Sequence, residues 1–350
     1  MNEQIDPWFL ENLVCPVDRG PLEFQNGELY SENGRRYPVI DGVPVMLQDD
    51  VENTIGIADE SLRRANDSSA ADPRAPEFYL ESLGIVEEEK KRLLELAEKG
   101  DQKIDPVVSV IVGATSGHCY EHLIGYLDSY PIPEIRLDES SGANLLDLGC
   151  NWGRWSIAAA RKGYNVIGID PSLGAVMAAR RVAKQLNLPI KYLVADARFI
   201  PFKDNSFDNI FSYSVIQHLS KENAGIVLNI VKKILKPGGK CMIQLPNIYG
   251  IRCLQHQFKR RFREPRGFEV RYWTVPELKR EFGKIGSVSI SVDCFFGIGL
   301  QKADLDMMPL HLKLLISFSE LLRFLSGGLP FLKYVADSVY VLAESREEQE

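Results

Sequence analysis

The chain has 350 residues, 45% of them hydrophobic and 25% charged, with a formal net charge of −7. Those proportions exclude a disordered or collagen-like chain, and the length suggests about two domains. The acidic balance argues against a surface coated in basic charge for nucleic acid, while leaving room for a local basic patch.

The first residues are acidic and lack a basic start leading into an apolar run, so no signal peptide is expected. Residues 1–50 then read as a small β-rich unit. Short apolar runs at 22–24, 37–40 and 43–47 are separated by Asn26-Gly27, Asn33-Gly34 and Asp41-Gly42, dipeptides that favour tight hairpin turns. Cys15, Cys119, Cys150, Cys241, Cys253 and Cys294 form no C-x-x-C pair, so neither a disulfide framework nor a complete zinc ribbon is expected. No apolar stretch approaches the ~20 residues of a membrane span. A soluble cytoplasmic protein is the expectation.

Residues 51–135 read as linker and helical connector. The stretch 49–76 is polar with two prolines, and 85–99 sets Leu93, Leu94 and Leu96 among Glu and Lys as an exposed helix would. His118-Cys119-Tyr120-Glu121-His122 has the H-x-x-E-H spacing of an inverted zinc-protease motif, with two histidines one helical turn apart.

From about residue 143 strands and helices alternate. Apolar runs at 145–148, 166–170, 192–196, 208–212 and 241–245 read as strands, with helices over 154–162, 173–185 and 225–235 and late strands at 287–296 and 338–342. Such alternation predicts an α/β fold, a doubly wound Rossmann-like parallel sheet with helices on both faces, over residues 136–345. Lys236-Pro237-Gly238-Gly239-Lys240 lacks phosphate-loop spacing and reads as a turn.

Three acidic residues stand at strand ends, where an open α/β sheet binds ligands. Asp147 leads into Leu148-Gly149-Cys150-Asn151-Trp152-Gly153; Asp170 closes the next strand, where a carboxylate can accept both hydroxyls of a ribose; Asp196-Ala197 suits the edge of a base. A dinucleotide fingerprint would need glycines at 151 and 154, where Asn151 and Arg154 stand.

These motifs, with Ser206-Phe207-Asp208, Gln217-His218-Leu219 and Leu235-Lys236-Pro237-Gly238-Gly239, together resemble class I S-adenosylmethionine-dependent methyltransferases, in particular the broad small-molecule group. The family pattern usually has glycine at 151, and asparagine is a departure. The resemblance implies S-adenosyl-L-methionine as cofactor. Asp147, Gly149, Cys150, Asn151 and Gly153 would line its methionine end and Arg154 would pair with the carboxylate. Asp170 and Pro171 would hold the ribose, Asp196 and Ala197 the adenine, and Ser214 would sit below the methyl group. Trp152 or Trp155 could face the sulfonium or simply pack in the core. His218 has the pKa of a base for a hydroxyl acceptor; the alternative is a structural histidine bonded to backbone. The H-x-x-E-H segment would then belong to a helix covering the cofactor, with no metal.

Residues 13–22 and 37–47 resemble a second family, the small zinc-ribbon-like activators of methyltransferases that act on tRNA, rRNA and translation factors. Asp18 stands where members often carry a second cysteine, which implies a metal-free, fused stabilising or docking module. After the fifth strand, an insertion at about 247–273 interleaves arginines with aromatics; Arg260, Arg263 and Tyr272 are candidates for an anionic-substrate lid. The apolar helix at 310–325 is too short and too charged to span a bilayer, and packing on the core is expected over contact with a membrane surface or an oligomer partner. The leading expectation is methyl transfer to a small molecule, lipid or glycan intermediate. Methyl transfer to RNA and a non-catalytic cofactor-binding regulator are the alternatives.

Overall fold

A computed structural model describes residues 5–52, 55–66, 87–99, 103–114 and 119–346; Ile85 and His118 lie outside them. Near the N-terminus, α1 (Pro7–Asn12) is capped by Asp6, whose side chain accepts from the Trp8 amide. Strands β1 (Leu22–Gln25), β2 (Glu28–Ser31), β3 (Arg36–Ile40) and β4 (Val43–Pro44) follow as an antiparallel meander. Asn26-Gly27 and Asp41-Gly42 all have positive φ, the mirror-image turn that matches strand twist. Strand β2 escapes the sequence reading because Leu29 and Tyr30 alone make no apolar run.

Within the expected linker the structure places a helix, α2 (Gly56–Asn66). It buries Ile57, Ala58 and Ser61, and the Ser61 hydroxyl accepts the amide of Leu173. Tertiary docking therefore makes a helix of a stretch whose composition is that of a linker. Helices α3 (Glu87–Lys99) and α4 (Pro106–Ala114) follow. The H-x-x-E-H segment is not an α-helix in its described part: Glu121–Leu123 is a single 3₁₀ turn, and His122 Nε2 lies 3.2 Å from the Met307 carbonyl.

The main sheet has seven strands. In chain order the elements are β5 (Asn144–Leu148), α5 (Arg154–Arg161), β6 (Asn165–Asp170), α6 (Leu173–Gln185), β7 (Lys191–Val194), β8 (Phe207–Tyr213), α7 (Lys221–Ile234), β9 (Leu235–Pro246), α8 (Ile251–Lys259), α9 (Val275–Phe282), β10 (Gly286–Cys294), α10 (Leu310–Leu325) and β11 (Ser338–Ser345). The spatial order is β10-β11-β9-β8-β5-β6-β7; β5 to β9 run parallel and β11 is antiparallel to both neighbours. Alternate residues feed opposite cores. Leu146 and Leu148 face the side of α7 and α9, while Leu145 faces α5 with Trp155 and Ala158. This is the doubly wound α/β fold expected from the sequence. The glycine-rich stretch 236–240 is the irregular start of β9, where the register against β8 shifts between Phe207 and Asn209.

Residues 5–50 share their core with the sheet. Ile5, Phe9, Leu13, Leu29 and Met46 lie in one apolar cluster with Leu193, Phe202 and Phe207. Val45 pairs with Val194, the Met46 amide donates to the Val194 carbonyl at 2.7 Å, and Leu13 bridges Phe202. The meander thus closes the open edge of β7, which would otherwise present unpaired backbone groups. Helix α10 packs one face on the core, as expected, through Ile316 with Leu312, Leu315 and Leu322. Only Ile316 and Ser319 are fully buried, and Leu310, Leu314 and Phe324 are 72%, 65% and 77% exposed.

The shared core generates a test. Phe202 packs against Trp8 and Phe207 across the seam, with centroids 5.7 and 5.0 Å apart. Phe202→Ala should cost about 3–5 kcal/mol while thermal melting keeps one transition; two separate transitions would show that residues 1–50 fold as an independent body.

Candidate functional site

The chain leaves β5 for β6 and β7 and returns through β8 on the other side of β5. That reversal opens a crevice at the carboxyl ends of β5 and β8. The turn after β5 is left-handed at Gly149, Asn151 and Gly153, with φ of 79°, 50° and 84°. Asparagine is among the few residues with a Cβ that enter this region readily, so the departure at 151 keeps the backbone that glycine would give. At Gly149 a Cβ would stand 2.2 Å from Val215 Cγ2, which fixes glycine there.

Asp170 organises the turn. One of its oxygens accepts the Asn151 amide at 3.0 Å and the other the Ser172 amide at 2.9 Å. A carboxylate has about four acceptor positions, so each oxygen retains one. Burial pushes this carboxyl up to about 6. Asp147 lies beneath the turn, fully buried, and accepts the Ser156 hydroxyl at 2.6 Å. Burial, reinforced by the Asp170 charge, pushes it up to about 7. Cys150 is buried, and its amide and that of Gly149 both donate to the Ile169 carbonyl, so backbone rather than the thiol lines the turn.

The other expected residues gather at the same edge. Pro171 follows Asp170, half-buried. Ser214, also at positive φ (60°), donates amide and hydroxyl to Gln244 Oε1 at 3.0 and 3.2 Å. Gln244 escaped the sequence reading; a polar residue inside the apolar run of β9 was its signal. The Arg154 guanidinium lies 5.8 Å from the ring centroids of both Tyr120 and Trp155. Asp196 has both oxygens engaged by Arg198, with Nη2 at 2.7 Å, and it also caps the short turn beginning at Ala197. Trp152 packs near Tyr130, and Trp155 against Phe211 and Tyr213, so both tryptophans serve the cores.

His218 bonds to backbone, as the structural alternative has it. Its Nδ1 lies 2.7 Å from the Phe268 carbonyl, which only accepts, so Nδ1 carries the proton; Nε2 then accepts from Gln217 Nε2 at 3.2 Å. The ring stacks on Phe268 at 3.8 Å, and burial, aided by Arg271, lowers its pKa to about 4. The Arg271 amide and guanidinium bond to the carbonyls of Gln217 and His218. These contacts bolt the insertion to the turn that follows β8.

Within the insertion, His256, Lys259, Arg260, Arg261, Arg263, Glu269, Val270 and Tyr272 line an open cavity of about 580 Å³. Arg260 donates to the Val270 carbonyl at 2.9 Å and stacks over Tyr272, while its buried Nε has no hydrogen-bond partner. Arg263 makes a forked pair with Glu269 at 2.7 and 2.5 Å. Tyr272 reaches His256, whose pKa is lowered by burial and by the surrounding cations. Arg260, Arg263 and Tyr272 thus share one cavity with a strong excess of positive charge. At the N-terminal meander, Cys15 is buried against the Tyr37 hydroxyl and Asp18 accepts from Asn33. Among the described residues no group of three or more His, Cys, Asp or Glu is placed to hold a metal.

Residues 145–239 match the family model of a methyltransferase domain, and residues 6–42 that of Trm112p-like proteins. The chain is similar to phosphoethanolamine N-methyltransferase 2 of Caenorhabditis elegans, 33% identical over 123 residues, which are 35% of this chain and 28% of that protein. It is also similar to a ubiquinone biosynthesis O-methyltransferase of Nitrobacter winogradskyi, 33% identical over 99 residues, 28% of this chain and 37% of that protein. Among solved structures it is similar to the complex of the Haloferax volcanii Trm112 methyltransferase activator with a methyltransferase, at TM-score 0.42 and 18% identity, covering 61% of this chain and 86% of that one. The chain spans about a quarter to two fifths of the length of the curated relatives it matches. The two matched segments, residues 145–239 and 6–42, are thus similar to a methyltransferase domain and to Trm112p-like proteins.

The buried Asp147 sets a pH dependence. Its folded pKa of about 7 exceeds the unfolded value, so the folded chain holds the proton more tightly and stability falls as pH rises from about 4 to about 7. Asp147→Asn, which keeps an acceptor for Ser156, should flatten that slope and raise Tm by a few degrees at pH 8, as read by calorimetry.

Proposed function

We propose that the chain transfers the methyl group of S-adenosyl-L-methionine to an anionic small-molecule acceptor, a lipid, glycan or other biosynthetic intermediate. The observation that carries this reading is the arginine-lined cavity of about 580 Å³, held by Arg271, Gln217 and His218 at the same sheet edge as the Gly149 turn.

The cofactor supplies a methyl carbon that is already electrophilic on its sulfonium, so the protein's part is alignment and exclusion of water. The crevice suits it. The free acceptor positions of Asp170, beside Pro171, would take the two ribose hydroxyls, and the turn through Gly149, Cys150, Asn151 and Gly153, left-handed at all of these but Cys150, would let the methionine end approach. Arg154 offers its fork to the methionine carboxylate. Asp147 acts through Ser156 on the turn. Asp196, engaged by Arg198, and Ala197 would border the adenine, and Ser214, held by Gln244, would sit beneath the methyl group. His218 is a positioning residue: both ring nitrogens are engaged, so it orients the insertion rather than taking a proton.

Transfer to RNA is the second reading, favoured by the Trm112p-like match at residues 6–42. In this chain those residues cover β7, and we assign them a stabilising role. Incubation with methyl-labelled cofactor and cell extract separates the two: label in the lipid or small-molecule fraction supports the first reading, and label in RNA overturns it in favour of the second.

Two variants test the assignments. Because the Asp170 carboxyl titrates at about 6, cofactor affinity should rise about tenfold per pH unit up to that value and level off above it. Asp170→Asn should bind weakly at pH 8 with no such slope; a wild-type titration curve for this variant would remove Asp170 from the ribose site. Arg260→Ala and Arg263→Ala should each raise the KM for the acceptor about tenfold and leave cofactor affinity unchanged. An unchanged KM would remove the cavity from the acceptor site.

A further inference from the structure

Helix α10 carries an apolar ridge that, among the described residues, is left largely exposed. Leu310, Leu314, Phe318, Leu321 and Leu325 recur at spacings of four, four, three and four, one face of a helix. Leu314, Phe318 and Leu321 are each at least half exposed, and Phe324 stands beside them. Beyond the helix, Phe331 and Tyr334 continue the apolar surface. An exposed patch of this extent marks an interaction surface.

The ridge joins a basic segment. Buried Asp337 is the junction: it accepts the amides of Arg252 and Cys253 at the start of α8 and, through its other oxygen, the amide of Phe296 at 2.6 Å. Phe296 stacks on Phe318 of α10 at 5.8 Å, and Asn247 bonds to the carbonyls of Tyr334 and Ala336. Residues 252–271 contain seven Arg and Lys against two Glu, and residues 310–335 three against one, in a chain whose net charge is −7. Charge is therefore strongly polarised, with a cluster of cations beside this apolar ridge.

We propose that this face docks on the surface of an anionic lipid bilayer. The apolar ridge enters the headgroup–acyl boundary while Arg252, Lys259, Arg261 and Arg266, all exposed, meet the lipid phosphates. An anionic bilayer satisfies both halves of the face at once. A second copy of the chain presents the same basic segment and so offers like charge in a two-fold contact. Helix α10 lies on the surface, since among the described residues no helix is long and apolar enough to cross a membrane. Docking is independent of methyl transfer and is read without cofactor.

The test is co-sedimentation of the full chain with phosphatidylcholine vesicles, with and without phosphatidylserine. Binding is expected on the anionic vesicles, weakening with added salt. Phe324→Glu and Leu314→Glu should each reduce it at least tenfold, and Arg266→Ala, outside the cavity lining, about fivefold, with Tm unchanged because these side chains are exposed. Absence of binding to anionic vesicles, or binding that the three variants leave intact, overturns the proposal. A dimer in sedimentation that Phe324→Glu dissociates, with no vesicle binding, also overturns it and assigns the face to a second copy.

Discussion

The hydrogen bond from the Asn151 amide to the Asp170 carboxylate ties the end of β5 to the end of β6. Everything at the crevice follows from that tie. It holds the left-handed turn in place, and the turn in turn requires glycine where Val215 comes within 2.2 Å of a would-be Cβ. The same carboxylate starts the segment into α6 through the Ser172 amide, and Ser172 caps that helix by accepting from Ala175. A single half-buried acid thus sets the end of one strand, the path of a loop and the start of a helix. Its raised pKa is the cost of that placement.

A second constraint acts at the opposite margin of the sheet. Strand β7 has β6 on one side only, and an open edge invites pairing with other chains. Here the residues that lead from the N-terminal meander, Val45 and Met46, take up its hydrogen bonds. The seam is apolar throughout, with Trp8, Phe202 and Phe207 interleaved, so the meander and the sheet stabilise one another. In the structure Cys15 and Tyr37 form part of that shared core.

Function is distributed along the carboxyl edge of the sheet. The crevice proposed for the cofactor lies between β5 and β8, and the insertion after β9 brings its arginines to the same edge. Arg271 and His218 fasten the two together, the Arg271 amide and guanidinium and the His218 ring each bonding to a backbone carbonyl. The cations of this insertion and the apolar ridge of α10 meet at Asp337, which gives an acidic chain one face of opposite character.

Much of this was legible in the residues themselves. The apolar runs of β5 to β9 are long enough to show their period, and α6 falls on the expected 173–185 because alanines with a serine cap define a helix locally. Glycines 149 and 153 and the acids at 147, 170 and 196 announced the crevice because backbone conformation and strand-end position are local properties. The structure alone decided the rest. Helix α2 forms because it docks on α6, and β2 because a meander needs its middle strand. His218 and Asp196 are engaged by Phe268 and Arg198, partners that motif spacing does not reveal. Helix α10, expected to pack on the core, does so through Leu312, Leu315, Ile316 and Leu322, and its second apolar ridge is left outside. Periodicity states that a helix has an apolar face; only the packing of the whole chain decides what that face meets.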